Sequence, residues 1–144
     1  MKIIILLLLK FFTLNYLISN DQHIISIFST HITKTIETTN GFKFSISESL
    51  GNWQDNKGNY GKSSIIFYVE EYNSKIIIRG LGELLDQDKN KFWFLAERGT
   101  SQDAGVGDLK IIDADKKHSF LTEKDCFYAI KYFEDRSFLK LKCN

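Results

Sequence analysis

Three histidines, at positions 23, 31 and 118, supply all the imidazole in the chain. None sits in a GxSxG elbow, an HExxH pair, a phosphate-binding loop or a dinucleotide fingerprint. His118 follows Lys117 in a polar run and reads as a solvated surface side chain rather than a general base. His23 and His31 fall close to the expected mature N-terminus, where chain order is commonly low. Asp86, Asp88, Asn90 and Glu97 reproduce positions 1, 3, 5 and 12 of a calcium loop. Lys91 stands where that loop needs glycine, and Phe92 to Leu95 reads as strand where the loop must still curl. A polar hairpin turn is therefore expected, with no metal and no cofactor.

Two stretches combine aromatic and polar groups in the way small-ligand pockets do. The first, residues 52–61, sets Trp53 and Tyr60 around Asn56 and two glycines. The second runs from Trp93 through Glu97 and Arg98 to Asp103 and a glycine-rich turn. Trp53, Asn56, Tyr60, Trp93, Glu97, Arg98 and Asp103 are the candidate ligand-binding residues, and no catalytic residue is assigned. The competing reading is that the aromatics fill the interior and the glycines only make turns. Glu97 and Arg98 are adjacent on a strand, so they point to opposite faces and do not pair.

Cys126 and Cys143 are the two cysteines. Between them the chain runs out, turns at Glu134-Asp135 and returns, so a two-residue turn sets 133 opposite 136 and 126 opposite 143. Alternation makes the cysteines a non-hydrogen-bonded pair, close enough for a disulfide. A longer loop would shift that register, since Glu-Asp lacks the Gly or Asn that tight hairpins prefer.

The elements that must position these groups are strands. Apolar and polar residues alternate with period two past the N-terminus, and helical spacing is nowhere sustained. Strands are expected at 41–47, 63–71, 75–85, 91–97, 106–112, 126–133 and 137–143, with polar or glycine-containing turns between them. Residues 21–40 read as either an arm or a first strand, and 121–125 as a possible helical turn. Many short strands with short polar connections make one all-β domain over 41–144, an antiparallel barrel of about eight strands.

Met1-Lys2 followed by an apolar run to Ile18 has the pattern of a secretory signal over residues 1–20, with cleavage near Ser19 or Asn20. Lys10 and Asn15 interrupt the run, which favours a signal over a permanent membrane anchor. Removing Lys2 and Lys10 from the 19 basic residues leaves 17 against 18 acidic ones, without runs of one sign. That balance excludes a nucleic-acid binder or a partner of anionic membranes. The expected location is secreted or periplasmic, where paired cysteines oxidise.

The stretch Trp53-x-Asp55-Asn56-x-Gly58-Asn59-Tyr60-Gly61, Asp86-Gln87 before Lys91-Phe92-Trp93, Asp103-Ala104-Gly105-Val106-Gly107, and Cys126-x-Tyr128-x-Ile130-x-Tyr132 before Cys143 together resemble small exported bacterial proteins of unassigned role. These are in turn similar to calycin-like barrels of the allene oxide cyclase and dirigent type. The resemblance covers residues 41 to 144 and implies a closed barrel with a lumen; it carries over no catalytic residue.

The function expected from these readings is binding without catalysis, of a small apolar or amphipathic ligand or of an extracytoplasmic protein. One alternative is an inhibitor or interaction protein acting through loops 52–61 and 99–107. Another is a cyclase or isomerase using Tyr60, Glu97 and Arg98 in the lumen. An apolar pocket lined by Trp53 or Trp93 is the feature the binding reading requires.

Overall fold

The computed structural model describes residues 22–99 and 104–144. The expected signal segment and Asp103 lie outside them. Eight antiparallel strands form a closed barrel in which each strand pairs with its neighbours in sequence and the first pairs with the last. They are β1 (His23–Glu37), β2 (Lys43–Asp55), β3 (Tyr60–Tyr72), β4 (Lys75–Asp86), β5 (Lys91–Arg98), β6 (Ala104–Ala114), β7 (Cys126–Phe133) and β8 (Arg136–Cys143). Period-two alternation drives this outcome, because closing the sheet buries one face of every strand and leaves no edge along the closed seam. Residues 23–37, left open by the sequence, form the longest strand. β2 also continues to Asp55, so Trp53 belongs to a strand and the turn itself is only 56–59.

The core is the barrel interior. Ile25, Ile27, Trp53, Leu84, Phe92, Phe94, Ile111 and Leu141 fill its lower part. Two aromatic rings lie flat where glycines leave room: a Cβ at Gly82 would come within 2.2 Å of the Phe94 ring, and one at Gly107 within 2.5 Å of Tyr128. A bulge in β6, where the register slips between Trp93↔Asp113 and Phe94↔Ile111, re-phases the alternation so that Ala114 again faces Phe92. From there the chain enters the β6–β7 connection, whose one regular element is a short 3-10 turn, Ser119–Leu121, with Leu121 fully buried.

The last hairpin has the register read from the sequence, with Phe133↔Arg136 and Cys126↔Cys143 paired and the cysteines joined. Glu134 takes φ +56° to make the turn. The β3–β4 hairpin places both turn residues in that left-handed region, Asn73 at +48° and Ser74 at +62°, the geometry of a type I′ turn that asks for Asn-Gly. Ser74→Gly is therefore expected to raise unfolding free energy by about 1 kcal/mol, measured as a higher urea midpoint at unchanged slope.

Candidate functional site

The two ends of the barrel differ in chemistry. One end is sealed. Asp55 and Asp86 each begin a four-residue turn, and each carboxylate folds back onto it: Asp55 Oδ1 accepts the amides of Lys57 and Asn59, and Asp86 Oδ1 those of Asp88 and Asn90. The second oxygen of each turns inward to a histidine. His118 Nε2 bonds Asp86 Oδ2 at 3.0 Å, beside the Lys117 ammonium at 2.7 Å. His23 Nε2 lies 3.0 Å from Asp55 Oδ2, at angles outside hydrogen-bond range. Both imidazoles are buried, packed against Phe120, Trp53 and Phe92.

This corrects the sequence reading of both histidines, which are neither solvated nor in a loose terminus. The β1–β2 pairing brings His23 to Asp55, and the β6–β7 connection folds His118 onto Asp86, each across 32 residues of sequence, and nothing local signals it. The calcium-like spacing resolves into the β4–β5 turn, as expected from Lys91. No cluster of metal-ligating residues occurs among those described.

Burial works against ionised Asp86, but the Lys117 ammonium, the Asn90 and Asp88 amides and His118 outweigh it and hold the carboxyl well below its ordinary 3.8. Burial lowers His23 below 6.5 more than Asp55 raises it. These are the acid–base pairs of the described chain that most resemble catalytic ones, and both are locked in the seal.

The other end is open. A vestibule of about 360 Å³ is walled by His31, Thr33, Thr35, Ser45 and Ser47 on one side and by Tyr132 and Glu134 on the other. Phe67, Ile78 and Tyr132 narrow it to a chamber of about 40 Å³ that continues down to Phe94 and Tyr128. The chamber's upper wall is hydroxylic: Ser49 donates to Ser29 at 2.7 Å, and Ser29 meets Ser137 at 3.0 Å. Arg98, 3% exposed, enters from β5 within electrostatic range of the Tyr128 and Tyr132 phenols. Burial pushes Tyr128 up to about 12, with Arg98 opposing, and raises Tyr132 in the same way. Both phenols stay protonated at neutral pH and can donate.

The residues singled out in the sequence do not converge. Trp53 is buried in the floor, its Nε1 donating to the Leu85 carbonyl. Asn56 extends the β1 ladder by bonding Ile24 and Gln22, and Tyr60 is exposed. Trp93 points outward and donates to Glu83. Glu97 also points outward, paired with Arg79 at 3.0 Å in a shallow groove on the outer wall. Of the described candidates, Arg98 alone is buried near the open end, beside Tyr128 and Tyr132. Trp53 borders only an outer cleft shared with Asn52, Gln54 and Tyr60, and neither tryptophan lines the vestibule or the chamber.

The lumen groups that were missed carry a signal: Ser29-x-His31-x-Thr33-x-Thr35 and Ser45-x-Ser47-x-Ser49 put a polar residue at every second position. Read with the usual polarity, those residues face water outside. In this barrel they face in. No protein-family model matches the chain, and no curated protein matches it.

Proposed function

We propose that this chain is an extracytoplasmic binding protein that holds a small amphipathic molecule at the open end of its barrel, acceptor group inward, without transforming it. The observation that carries the reading is the asymmetry of the lumen. One end is closed by buried histidine–aspartate contacts, while the other narrows onto the Tyr128 and Tyr132 phenols, which stay protonated and can donate, with the buried Arg98 guanidinium close enough to act on both electrostatically. Such a set matches a carboxylate, phosphate or carbonyl oxygen, and Phe67, Ile78 and Ile130 give an apolar body something to pack on. The small chamber sets the size: an acceptor group enters it and the rest of the molecule occupies the vestibule.

The cyclase or isomerase reading places Glu97 in the lumen, whereas Glu97 faces the opposite way, and the carboxylate at the vestibule, Glu134, is exposed on its rim. The Cys126–Cys143 pair is compatible with an oxidising compartment, and no described helix is long and apolar enough to cross a membrane. Secretion or periplasmic residence, with a cleaved signal, is part of this reading.

The test is native mass spectrometry on protein taken from the exported fraction of its host. The expected spectrum shows an adduct that leaves on denaturation. Arg98→Met should reduce its occupancy by about tenfold or more, the loss of a charged hydrogen bond, whereas Trp93→Ala on the outer wall should not change it. A clean mass from host material would remove the ligand reading.

A further inference from the structure

The half of the barrel made by β1 to β4 outruns the half made by β5 to β8. β1 pairs with β8 from His23↔Cys143 to Thr30↔Arg136, and the His31 amide then donates to the Asp135 carbonyl at 2.8 Å, where the last hairpin turns. β1 nevertheless continues to Glu37, held on its other side by β2 as far as Glu37↔Lys43. Among the described residues, no strand pairs with the outer edge of the stretch from Ile32 to Glu37.

Because the His31 amide points to that edge, alternation turns the N–H and C=O groups of Thr33, Thr35 and Glu37 the same way. The segment has no proline and no bulge, and Lys34 alone guards it. The polarity of its faces is inverted as well. Thr33 and Thr35 face in, the former bonding Ser47 at 2.6 Å, while Ile32 and Ile36 face out. At 74% and 70%, those are the most exposed large apolar side chains described.

We infer that this edge pairs with a second copy of itself, β1 against β1, antiparallel about a two-fold axis at Thr35. The tip at Asp135 already occupies the place beside His31, so outward-pointing amides are available from Thr33 onward. The register they allow sets 33 against 37, 35 against 35 and 37 against 33, each pair exchanging two main-chain hydrogen bonds. In that register Thr35 meets its own copy and the Thr33 hydroxyl faces the Glu37 carboxylate. The Lys34 stem lies along Ile36, and no two like charges are opposed. Sliding by one pair would set Lys34 against Lys34 and drive Glu37 into Asp135. Sliding the other way, 36 against 36, keeps only the 35–37 and 37–35 hydrogen-bonded pairs, so the register about Thr35 makes the most main-chain bonds. The segment is self-complementary in it, and the contact is isologous, as a closed dimer requires.

Sedimentation velocity on the oxidised chain from about 1 to 200 µM, the range of a modest interface, tests this. The wild type should shift from monomer to dimer with concentration. Thr35→Pro removes an amide that bonds nothing within the barrel, and should leave a monomer at every concentration, with only a small fall in Tm from the lost Thr35–Ser45 hydroxyl contact. Ile36→Lys opposes Lys34 of the second copy and should weaken the dimer about fivefold or more. Adding Lys34→Glu should restore it, because positions 34 and 36 then carry opposite charges. The charge exchange decides the matter even if the proline variant fails to fold. A wild type that stays monomeric throughout overturns the inference, as does a dimer indifferent to the exchange. The ligand reading stands or falls separately, because the charge exchange alters only Lys34 and Ile36, which line neither the vestibule nor the chamber.

Discussion

Asp86→Ala is expected to lower unfolding free energy by about 3–5 kcal/mol, the cost of stranding buried partners of a lost charge. The carboxylate has no exposed surface and accepts from five groups: the main-chain amides of Asp88 and Asn90, the Asn90 side-chain amide, the Lys117 ammonium and His118 Nε2. Alanine leaves the imidazole buried without its acceptor and unlatches the β4–β5 turn from the β6–β7 connection. Asp88→Ala is the control. Its side chain also meets Lys117 but is 62% exposed, so its removal should cost no more than about 0.5 kcal/mol. Urea titrations of both variants make the comparison, and equal midpoints would mean that the seal contributes nothing to stability.

The same end sets the acid limit of the fold. Asp86 is held below its ordinary 3.8 in the folded state, so the unfolded chain takes up the proton first. Its contribution is complete above about pH 4 and is lost as pH falls through the folded value. His23 is also lowered, from 6.5. For a base this means the folded state resists protonation, so stability begins to fall already below about pH 6.5. A two-step decline is expected, and Asp86→Ala should remove the lower step while leaving the upper one.

Period two, two-residue turns and a cysteine pair at matching distances from a turn are local signals, and they suffice for an all-β barrel with its last hairpin in register. Which face turns inward is not local. Phe44 and Ile46 share one face of β2, continued by Phe42 just before it, and hydrophobic burial alone would send that face to the core; the barrel sends Ser45, Ser47 and Ser49 there instead. The apolar demand of the interior is met lower down by Trp53, Phe92 and Phe94, which leaves the upper lumen free to be polar. Of the candidate site, the inward placement of Arg98 alone was legible, because strand alternation separates it from Glu97. Tyr128 and Tyr132 join it only because β6 and β7 bring residues some thirty positions apart to one height in the barrel, and no spacing rule within a single strand reports that.

The disulfide is the other large term. Breaking it, by reduction or by Cys126→Ser with Cys143→Ser, is expected to cost about 3 kcal/mol from the unfolded state's regained freedom over a separation of 17 residues. For a domain of this size that corresponds to a fall in Tm of roughly 10 °C. The location gives the bond a second consequence. Cys143 pairs with His23 at the start of the β1–β8 seam, and that seam joins the two ends of the described chain, the least local pairing in the barrel and the one with the highest closure cost. A preformed β7–β8 hairpin offers β1 a finished edge to close on. Reduction should therefore slow refolding as well as lower the Tm, whereas Ser74→Gly, in a hairpin away from the seam, should raise stability in oxidised and reduced protein alike. Thermal melts and stopped-flow refolding with and without reductant read both effects. If the reduced chain melts lower but refolds as fast as the oxidised one, the seam closes without help from the hairpin and the bond's contribution is confined to the 17 residues it spans; an unchanged melt would mean that the bond adds nothing to stability.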